Sequence, residues 1–165
     1  MKSKSPIIKQ ISWAMFALYF IFCFIFILIV HFIFRPENIN YSVRVGFFIY
    51  LMYSLVSRFI ITREHRKGIR LVKKGQFEEA IPKFENSNIF FQEHSWIDKY
   101  RWITIMSCSA ISYREMALVN MAFCYAQIGD ADKSKEYYEM TLKEFPESTI
   151  AQSTLNLIST FEKNQ

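Results

Sequence analysis

The sequence has few of the residues that build catalytic, nucleotide-binding or metal sites. Its 165 residues include only four glycines, each isolated, which excludes the glycine-rich loop that cradles phosphate groups. The three histidines are scattered, and none lies at metal-ligand spacing from a cysteine or a carboxylate. We therefore expect that the protein is not an enzyme, and that it has no cofactor, metal or catalytic residue.

Cysteine is also scarce, with three residues and no Cys-x-x-Cys pair. Cys23 lies in a long apolar run, whereas Cys108 and Cys124 lie in the more polar second half of the chain. We expect the last two to be reduced thiols that pack as small buried side chains.

Charged residues are absent from the stretch between Trp13 and Phe34, where only His31 is polar. A helix that crosses a bilayer core of ~30 Å needs about 20 apolar residues. A secretory signal peptide has an apolar core of only ~7–15 residues and then a cleavage site of small residues. The segment FIFRPEN, which ends this run, offers no such site. The sequence therefore predicts an uncleaved membrane helix at about residues 11–34.

A second apolar run, Val45 to Ile61, predicts another membrane helix at about residues 43–62. It contains Arg58, three residues before its end. Two interpretations of Arg58 stay open: its stem snorkels to the headgroups, or it makes an ion or lipid contact. Because the linker between the two runs is short, residues 1–62 are predicted to form a hairpin with both ends on one side.

The distribution of charge assigns that side to the cytoplasm. Residues 63–74 carry six basic residues and one acid, whereas residues 75–165 carry 8 basic and 13 acidic residues. Lys2, Lys4 and Lys9 add positive charge before the first helix. Since positive charge accumulates on the cytoplasmic side, we expect a two-pass protein of the plasma or inner membrane, of bacterial type, with both termini cytoplasmic. The acidic remainder argues against nucleic acid as a partner.

Two segments of the second half share a skeleton, GQFEEAIPKFENS from Gly75 and GDADKSKEYYEMT from Gly129. In each, a small residue follows the glycine by five positions and an aromatic residue follows by nine. Extended backwards, each segment is preceded by a small residue and a large residue three positions later. The recurring positions are Gly68, Leu71, Gly75, Ala80 and Phe84, and Ala122, Tyr125, Gly129, Ser134, Tyr138 and, beyond the skeleton, Pro146.

Over about residues 63–92 and 115–148 the sequence resembles the tetratricopeptide repeat family. The unit of that family has about 34 residues, with the pattern W-x2-L-G-x2-Y, then A-x3-F, then P. The resemblance implies a pair of antiparallel helices in each repeat. Small residues let the two backbones approach, large residues fill the space between them, and Gly75 and Gly129 form the turns.

The two turn glycines are 54 residues apart, which predicts an insertion at about residues 93–114. A helix from Ser95 is expected there, with one apolar face formed by Trp96, Tyr100, Ile103 and Met106. Three interpretations stay open: this helix lies on the membrane interface, closes one end of the repeat groove, or packs as an ordinary extra helix. A Ser-x-x-Glu capping box, Ser112 to Glu115, is predicted to start the next helix.

The predicted fold is all-α, with a transmembrane hairpin in residues 1–62 and a short tetratricopeptide-like solenoid in residues 63–165. The solenoid has two repeats, the inserted helix between them, and a capping helix after Pro146. Since about three units are usually needed for stability, the insertion, the cap or self-association must supply the rest. A homo-oligomer is therefore among the expected assemblies.

The resemblance also implies a concave face that holds a peptide or a helix of a protein partner. The residues expected to line it are His65, Ile69, Asn120 and Cys124. Only Asn120 resembles the Lys and Asn set with which some co-chaperones clamp a carboxylate, so binding of a chaperone tail is not expected. We expect an adaptor or scaffold at the cytoplasmic face of the membrane. The alternative is an accessory subunit of a transport, secretion or envelope-assembly complex, in which the hairpin is the functional part.

Overall fold

A computed structural model describes residues 13–34 and 39–163 of the chain. Within these residues the protein is helical and contains no strand, as the all-α prediction requires. The described residues form nine helices: α1 (Trp13–Phe34), α2 (Ile39–Ile61), α3 (Arg63–Lys73), α4 (Phe77–Glu93), α5 (Ser95–Lys99), α6 (Arg101–Thr104), α7 (Tyr113–Gln127), α8 (Ala131–Glu144) and α9 (Thr149–Lys163). The predicted basic flank of Lys2, Lys4 and Lys9 lies outside the described residues.

The described chain divides into two compact units. The hairpin unit consists of residues 13–34, 39–63 and 96–110, and the repeat unit consists of residues 64–95 and 111–163. Residues 96–110, which interrupt the repeat unit in sequence, thus cluster with α1 and α2. The domain boundaries predicted from sequence, 1–62 and 63–165, stay a prediction.

In the hairpin unit, α1 and α2 pack against each other along one face of α2. His31 Nδ1 and Ser42 Oγ lie 2.9 Å apart, and the ring centroid of Phe26 lies 6.1 Å from that of Tyr50. Between these pairs, a Cβ atom added to Gly46 would lie 3.3 Å from Ile27 Cγ1. The buried positions of α2 continue in steps of three or four residues, a period that defines one face of a helix: Ser42, Gly46, Tyr50, Ser54 and Ser57.

By length and composition, one described helix is long and apolar enough to cross a membrane, over Asn40–Ile61. In α1 a shorter apolar stretch, Phe20–Phe34, is found. The prediction of a helical hairpin is therefore supported, but its two membrane crossings are not both shown. The hairpin as a membrane-spanning structure remains a proposal and is taken up below.

The repeat unit contains two helix pairs, α3 with α4 and α7 with α8. Both predicted turn glycines have positive φ, 77° at Gly75 and 87° at Gly129, a conformation that glycine adopts without steric cost. The turn at Gly75 is stabilised by two backbone hydrogen bonds, from the Gly75 N–H to the Val72 carbonyl and from the Gln76 N–H to the Leu71 carbonyl. The turn prediction is therefore correct.

Several of the small and large repeat positions pack between the helices of the repeat unit. A Cβ atom added to Gly68 would lie 2.8 Å from the Phe84 ring, so only glycine lets this ring approach α3. Ala80 and Phe84 are fully buried in one core cluster with Leu118 of α7. A second cluster joins Val119, Ala122 and Tyr138 to Ala151 of α9, which places the predicted capping helix against the end of the last repeat.

The insertion differs from its prediction. Instead of one helix with a common apolar face, it forms the short helices α5 and α6, and Met106 beyond them has a left-handed backbone with φ 52°. Trp96 and Tyr100 are exposed, whereas Met106 is fully buried, so the predicted shared face is wrong. The reason is that Thr104 and Arg101 donate side-chain hydrogen bonds to nearby carbonyls, which compete with the regular helical pattern.

Candidate partner-binding groove

The four predicted groove residues all lie in the repeat unit, on the first helix of each pair. His65 and Ile69 lie on α3, and Asn120 and Cys124 lie on α7. Both helices begin with polar residues, and α7 starts at the predicted cap, where the Ser112 side chain accepts a hydrogen bond of 3.0 Å from the Glu115 N–H. The sequence therefore places these side chains on the intended helices.

His65 is buried, with 6% of its surface exposed. Its Nδ1 lies 3.3 Å from Ser87 Oγ, and its ring meets Phe84 and Tyr113 edge-on at centroid distances of 5.4 and 5.3 Å. Burial lowers the pKa of His65 to about 4, because the charged imidazolium loses its hydration there. His65 is therefore a neutral packing residue at physiological pH, with one polar partner.

Asn120 and Cys124 are also largely enclosed. Asn120 is 8% exposed, and its Nδ2 donates a hydrogen bond of 2.6 Å to the Met116 carbonyl one turn earlier. Cys124 is fully buried in the core, and burial raises its thiol pKa to about 12. A thiol with so high a pKa stays protonated, which fits the expected packing role and not a reactive one.

Ile69 is the member of the predicted set that keeps an accessible part, since it is only partly buried against the core. A partner on this face would therefore touch Ile69 more than the other three side chains. The binding role of all four residues stays a prediction.

One cluster of partly exposed side chains was not anticipated. The rings of Tyr125 and Tyr137 stack with centroids 5.3 Å apart and an interplanar angle of 18°, and Lys133 Nζ lies 5.2 Å from the Tyr125 centroid. Burial raises the pKa of Tyr137, and the neighbouring Tyr125 and the charges of Glu85 and Glu136 raise it further. The sequence pattern assigned Tyr125 to repeat packing. Its stacking partner on α8 could be found only from the crossing of the two helices.

A polar contact between the same helices was missed as well. Arg114 Nη2 near the start of α7 lies 2.6 Å from Glu144 Oε2 at the end of α8. The two residues are 30 positions apart in the chain, so helical spacing within one element gives no signal for this pair.

In residues 13–34 and 39–163, no three or more His, Cys, Asp or Glu side chains are grouped so that they could hold a metal ion. The predicted groove thus consists mainly of buried packing residues, and the tyrosine pair beside it is partly exposed. That the protein lacks enzymatic activity and cofactors stays an expectation.

Comparison with known proteins agrees with the repeat. No curated protein and no solved structure matches the chain. The first predicted copy, residues 63–92, is not part of the family match at residues 116–148, and its assignment rests on its sequence pattern and on the helix pair α3 and α4. Residues 116–148, which include most of α7 and all of α8, match the family model of the tetratricopeptide repeat, and this match supports a repeat of that family there.

Proposed function

We propose that this chain is a membrane-anchored protein whose tetratricopeptide unit serves as an adaptor or scaffold for another protein at the cytoplasmic face of a bacterial-type inner membrane. The observation that carries the proposal is the family match at residues 116–148, because tetratricopeptide repeats generally mediate protein–protein interactions. Two features of the described chain support the membrane part.

The first feature is the apolar surface of α1 and α2. Outside their shared face, both helices expose large apolar side chains along most of their length, such as Phe24, Phe32, Phe48 and Phe59, each more than half exposed. Exposed apolar patches above a few hundred Å² are rare on soluble monomers and mark protein or membrane contacts. The length of α2 favours a bilayer, since Asn40–Ile61 is sufficient to cross one.

The second feature is the basic block that follows α2. Arg63, Arg66, Arg70, Lys73 and Lys74 are exposed on and just after α3. Near anionic headgroups, each basic residue adds ~1 kcal/mol of attraction. The block thus supports a cytoplasmic position for the C-terminal end of α2.

The partner would be a peptide or a helix of another protein, held on the face formed by the first helices of the repeats. Solenoids present an extended surface of this kind because each repeat stacks only on its neighbours. With two helix pairs and the cap α9, the surface is short, so self-association of two chains would extend it.

The test is crosslinking in intact cells followed by affinity capture of the full chain and two variants. Ile69→Lys changes the accessible member of the predicted groove. Ile89→Lys makes the same change on α4, a second helix of a pair, where the side chain is 45% exposed. Both variants must first show the helical circular dichroism and thermal midpoint of the parent. Loss of a defined protein from Ile69→Lys alone supports the adaptor. An unchanged captured set in both variants contradicts it.

The alternative function places the activity in the hairpin, as an accessory subunit of a transport, secretion or envelope-assembly complex. The pair of His31 and Ser42 on the apolar hairpin favours it, since polar groups within membrane helices are often functional. His31→Phe and Arg58→Leu would then abolish function in cells, while the repeat unit still captures its partner. If both variants keep function and capture, this alternative fails.

A further inference from the structure

The segment of residues 96–110 has an irregular backbone whose carbonyl groups are hydrogen-bonded by side chains. From α2, the Tyr53 hydroxyl lies 3.3 Å from the Ile103 carbonyl oxygen and 3.5 Å from that of Thr104. Arg58 on the same helix donates from Nε to the Ile105 carbonyl at 3.1 Å and from Nη2 to the Met106 carbonyl. Four consecutive carbonyls are thus reached by two side chains of the hairpin.

Further carbonyls of the segment accept hydrogen bonds from its own side chains. Arg101, which is 8% exposed, donates to the carbonyls of Asp98, Ser109 and Ala110, each at 2.9 Å. The Thr104 hydroxyl lies 2.7 Å from the Ile97 carbonyl oxygen. The guanidinium groups of Arg58 and Arg101 therefore both donate hydrogen bonds to backbone carbonyls. Pairing with backbone carbonyls is one way in which arginines are accommodated inside membranes.

The depth of these contacts along the hairpin follows from helix geometry. At 1.5 Å per residue, Arg58 lies about 4.5 Å and Tyr53 about 12 Å before the end of α2 at Ile61. On α1, the Phe22 ring meets Trp102 edge-on at a centroid distance of 6.3 Å. Phe22 lies about 14 Å from the start of α1 at Trp13, which is the same end of the antiparallel hairpin.

These depths matter because the hairpin has almost no length to spare. Helices of 22 and 23 residues are about 33 and 35 Å long, against a hydrocarbon core of ~30 Å. If the hairpin spans this core, contacts 12 to 14 Å from its end lie well below the headgroups. A backbone that is not helical is tolerated at that depth where its polar groups are satisfied within the protein, and the carbonyls of residues 103–106 have side-chain donors of this kind.

We propose that residues 96–110 form a re-entrant segment, which enters the leaflet beside the C-terminal end of α2 and leaves on the same side. Trp102 is its deep point, against Phe22. Trp96 and Tyr100, 59% and 46% exposed, meet the headgroup region, where Trp and Tyr rings are favoured. Lys99 Nζ, 5.6 Å from the Tyr100 ring centroid, is placed to meet lipid phosphate. The inference rests on the proposed membrane location of the hairpin.

The experiment uses the full chain in vesicles of phosphatidylcholine and phosphatidylglycerol whose acyl chains carry bromine, which quenches tryptophan fluorescence. The chain has three tryptophans, so Trp13→Phe with Trp96→Phe leaves Trp102 as the reporter. A second variant keeps Trp96 alone. A third removes all three and places a reporter in the middle of α2 through Phe48→Trp, at an exposed position.

The fluorescence of Trp102 is expected to be quenched strongly by bromine on the acyl chains and only weakly by iodide in the aqueous phase. Trp96 is expected to be quenched mainly by a headgroup-attached quencher. If the Phe48→Trp reporter is quenched by bromine but Trp102 is quenched only by iodide, the re-entrant segment is overturned while the membrane location stands. If no reporter responds to bromine, the membrane location itself fails, and the segment with it.

A second pair of variants tests the carbonyl contacts. Tyr53→Phe removes a hydroxyl that contacts the segment. Combined with Arg58→Leu, it should increase the quenching of Trp102 fluorescence by iodide and decrease its quenching by bromine. Tyr41→Phe, the same change at another exposed tyrosine of α2, is the matched control and should leave the Trp102 signal unchanged. Equal bromine quenching in all of these variants would show that the two contacts do not hold the segment in the leaflet.

Discussion

Single residues decide how closely the helices of the repeat unit approach. Gly68 admits the Phe84 ring because it has no Cβ, and the buried imidazole of His65 packs between Phe84 and Tyr113. Both effects follow from close packing, since interiors tolerate neither an added methyl group nor an unpaired charge without cost. Each leads to a separate prediction.

Gly68→Ala is expected to lower the free energy of unfolding by about 1–3 kcal/mol, because the new methyl group overlaps the Phe84 ring. Denaturant unfolding of the full chain in detergent micelles, followed by helical circular dichroism, measures the change. The double variant Gly68→Ala with Phe84→Leu should lose less free energy of unfolding than the sum of the losses of the two single variants, because the smaller side chain leaves room for the methyl group. Strict additivity of the two substitutions would show that they do not meet.

His65 should make the stability of the repeat unit depend on pH. The pKa of His65 is about 4 in the folded chain and ~6.5 in the unfolded chain, so the unfolded state takes up the proton first as the pH falls. Stability is then full above pH ~6.5 and decreases by about 3 kcal/mol as the pH falls to ~4, below which the slope disappears.

The measurement is the denaturation midpoint of the full chain between these two pH values. His65→Phe should flatten the dependence, whatever its effect on stability at neutral pH. If the slope is the same in the parent and in the variant, His65 is not the group that titrates.

At the scale of elements, short polar signals determine where helices begin. Ser112 accepts a hydrogen bond from the Glu115 N–H and Asp130 accepts one from the Lys133 N–H, so α7 and α8 both start at side-chain caps. In the insertion the same kind of side-chain contact ends helices early. Arg101 and Thr104 hold α5 and α6 to one turn each.

Ser112→Ala should therefore destabilise the start of α7 by about 1 kcal/mol, because one N–H group of the first turn loses its acceptor. Ser112→Asp keeps an acceptor and a favourable charge at a helix N-terminus, and should restore most of the loss. Amide hydrogen exchange over the first turn of α7 reports the change directly. Equal protection in the Ala and Asp variants would contradict the cap.

For the whole molecule, the proposed membrane orientation rests on charge placed beside apolar helices. The basic block follows α2 directly in sequence, and in residues 63–74 six basic residues outweigh one acid. Positive flanks of membrane helices remain cytoplasmic because they resist translocation. The proposed orientation thus depends on the charge pattern and not on the repeat fold.

We expect the C-terminus to be cytoplasmic. A reporter enzyme that functions only in the cytoplasm should therefore show activity when it is fused after Gln165. Lys73→Glu with Lys74→Glu should reduce that activity by weakening the orientation signal. Lys135→Glu with Lys143→Glu on α8, far from α2 in sequence, is the matched change and should leave the activity unchanged. A reporter that is active only outside the cytoplasm would indicate the inverted topology of an envelope-assembly factor.

The sequence alone was sufficient for the features that have a local physical cause. The apolar runs required helices, the isolated Gly75 and Gly129 required left-handed turns, and the spacing of small and large residues required paired helices with Phe84 between them. These features depend on residues close in the chain, whose preferred conformations and periodicity survive without tertiary context.

Tertiary structure decided the features that depend on contacts between residues far apart in sequence, namely the burial of the groove residues and the conformation of the insertion. The predicted groove residues lie on the intended helices, but only the packing shows that His65, Asn120 and Cys124 are buried while Ile69 keeps an accessible part. The insertion reads as one amphipathic helix by its period. It forms two short helices instead, and the carbonyl of Ile105 just after them accepts a hydrogen bond from Arg58, 47 residues away in sequence, a contact that no local pattern encodes.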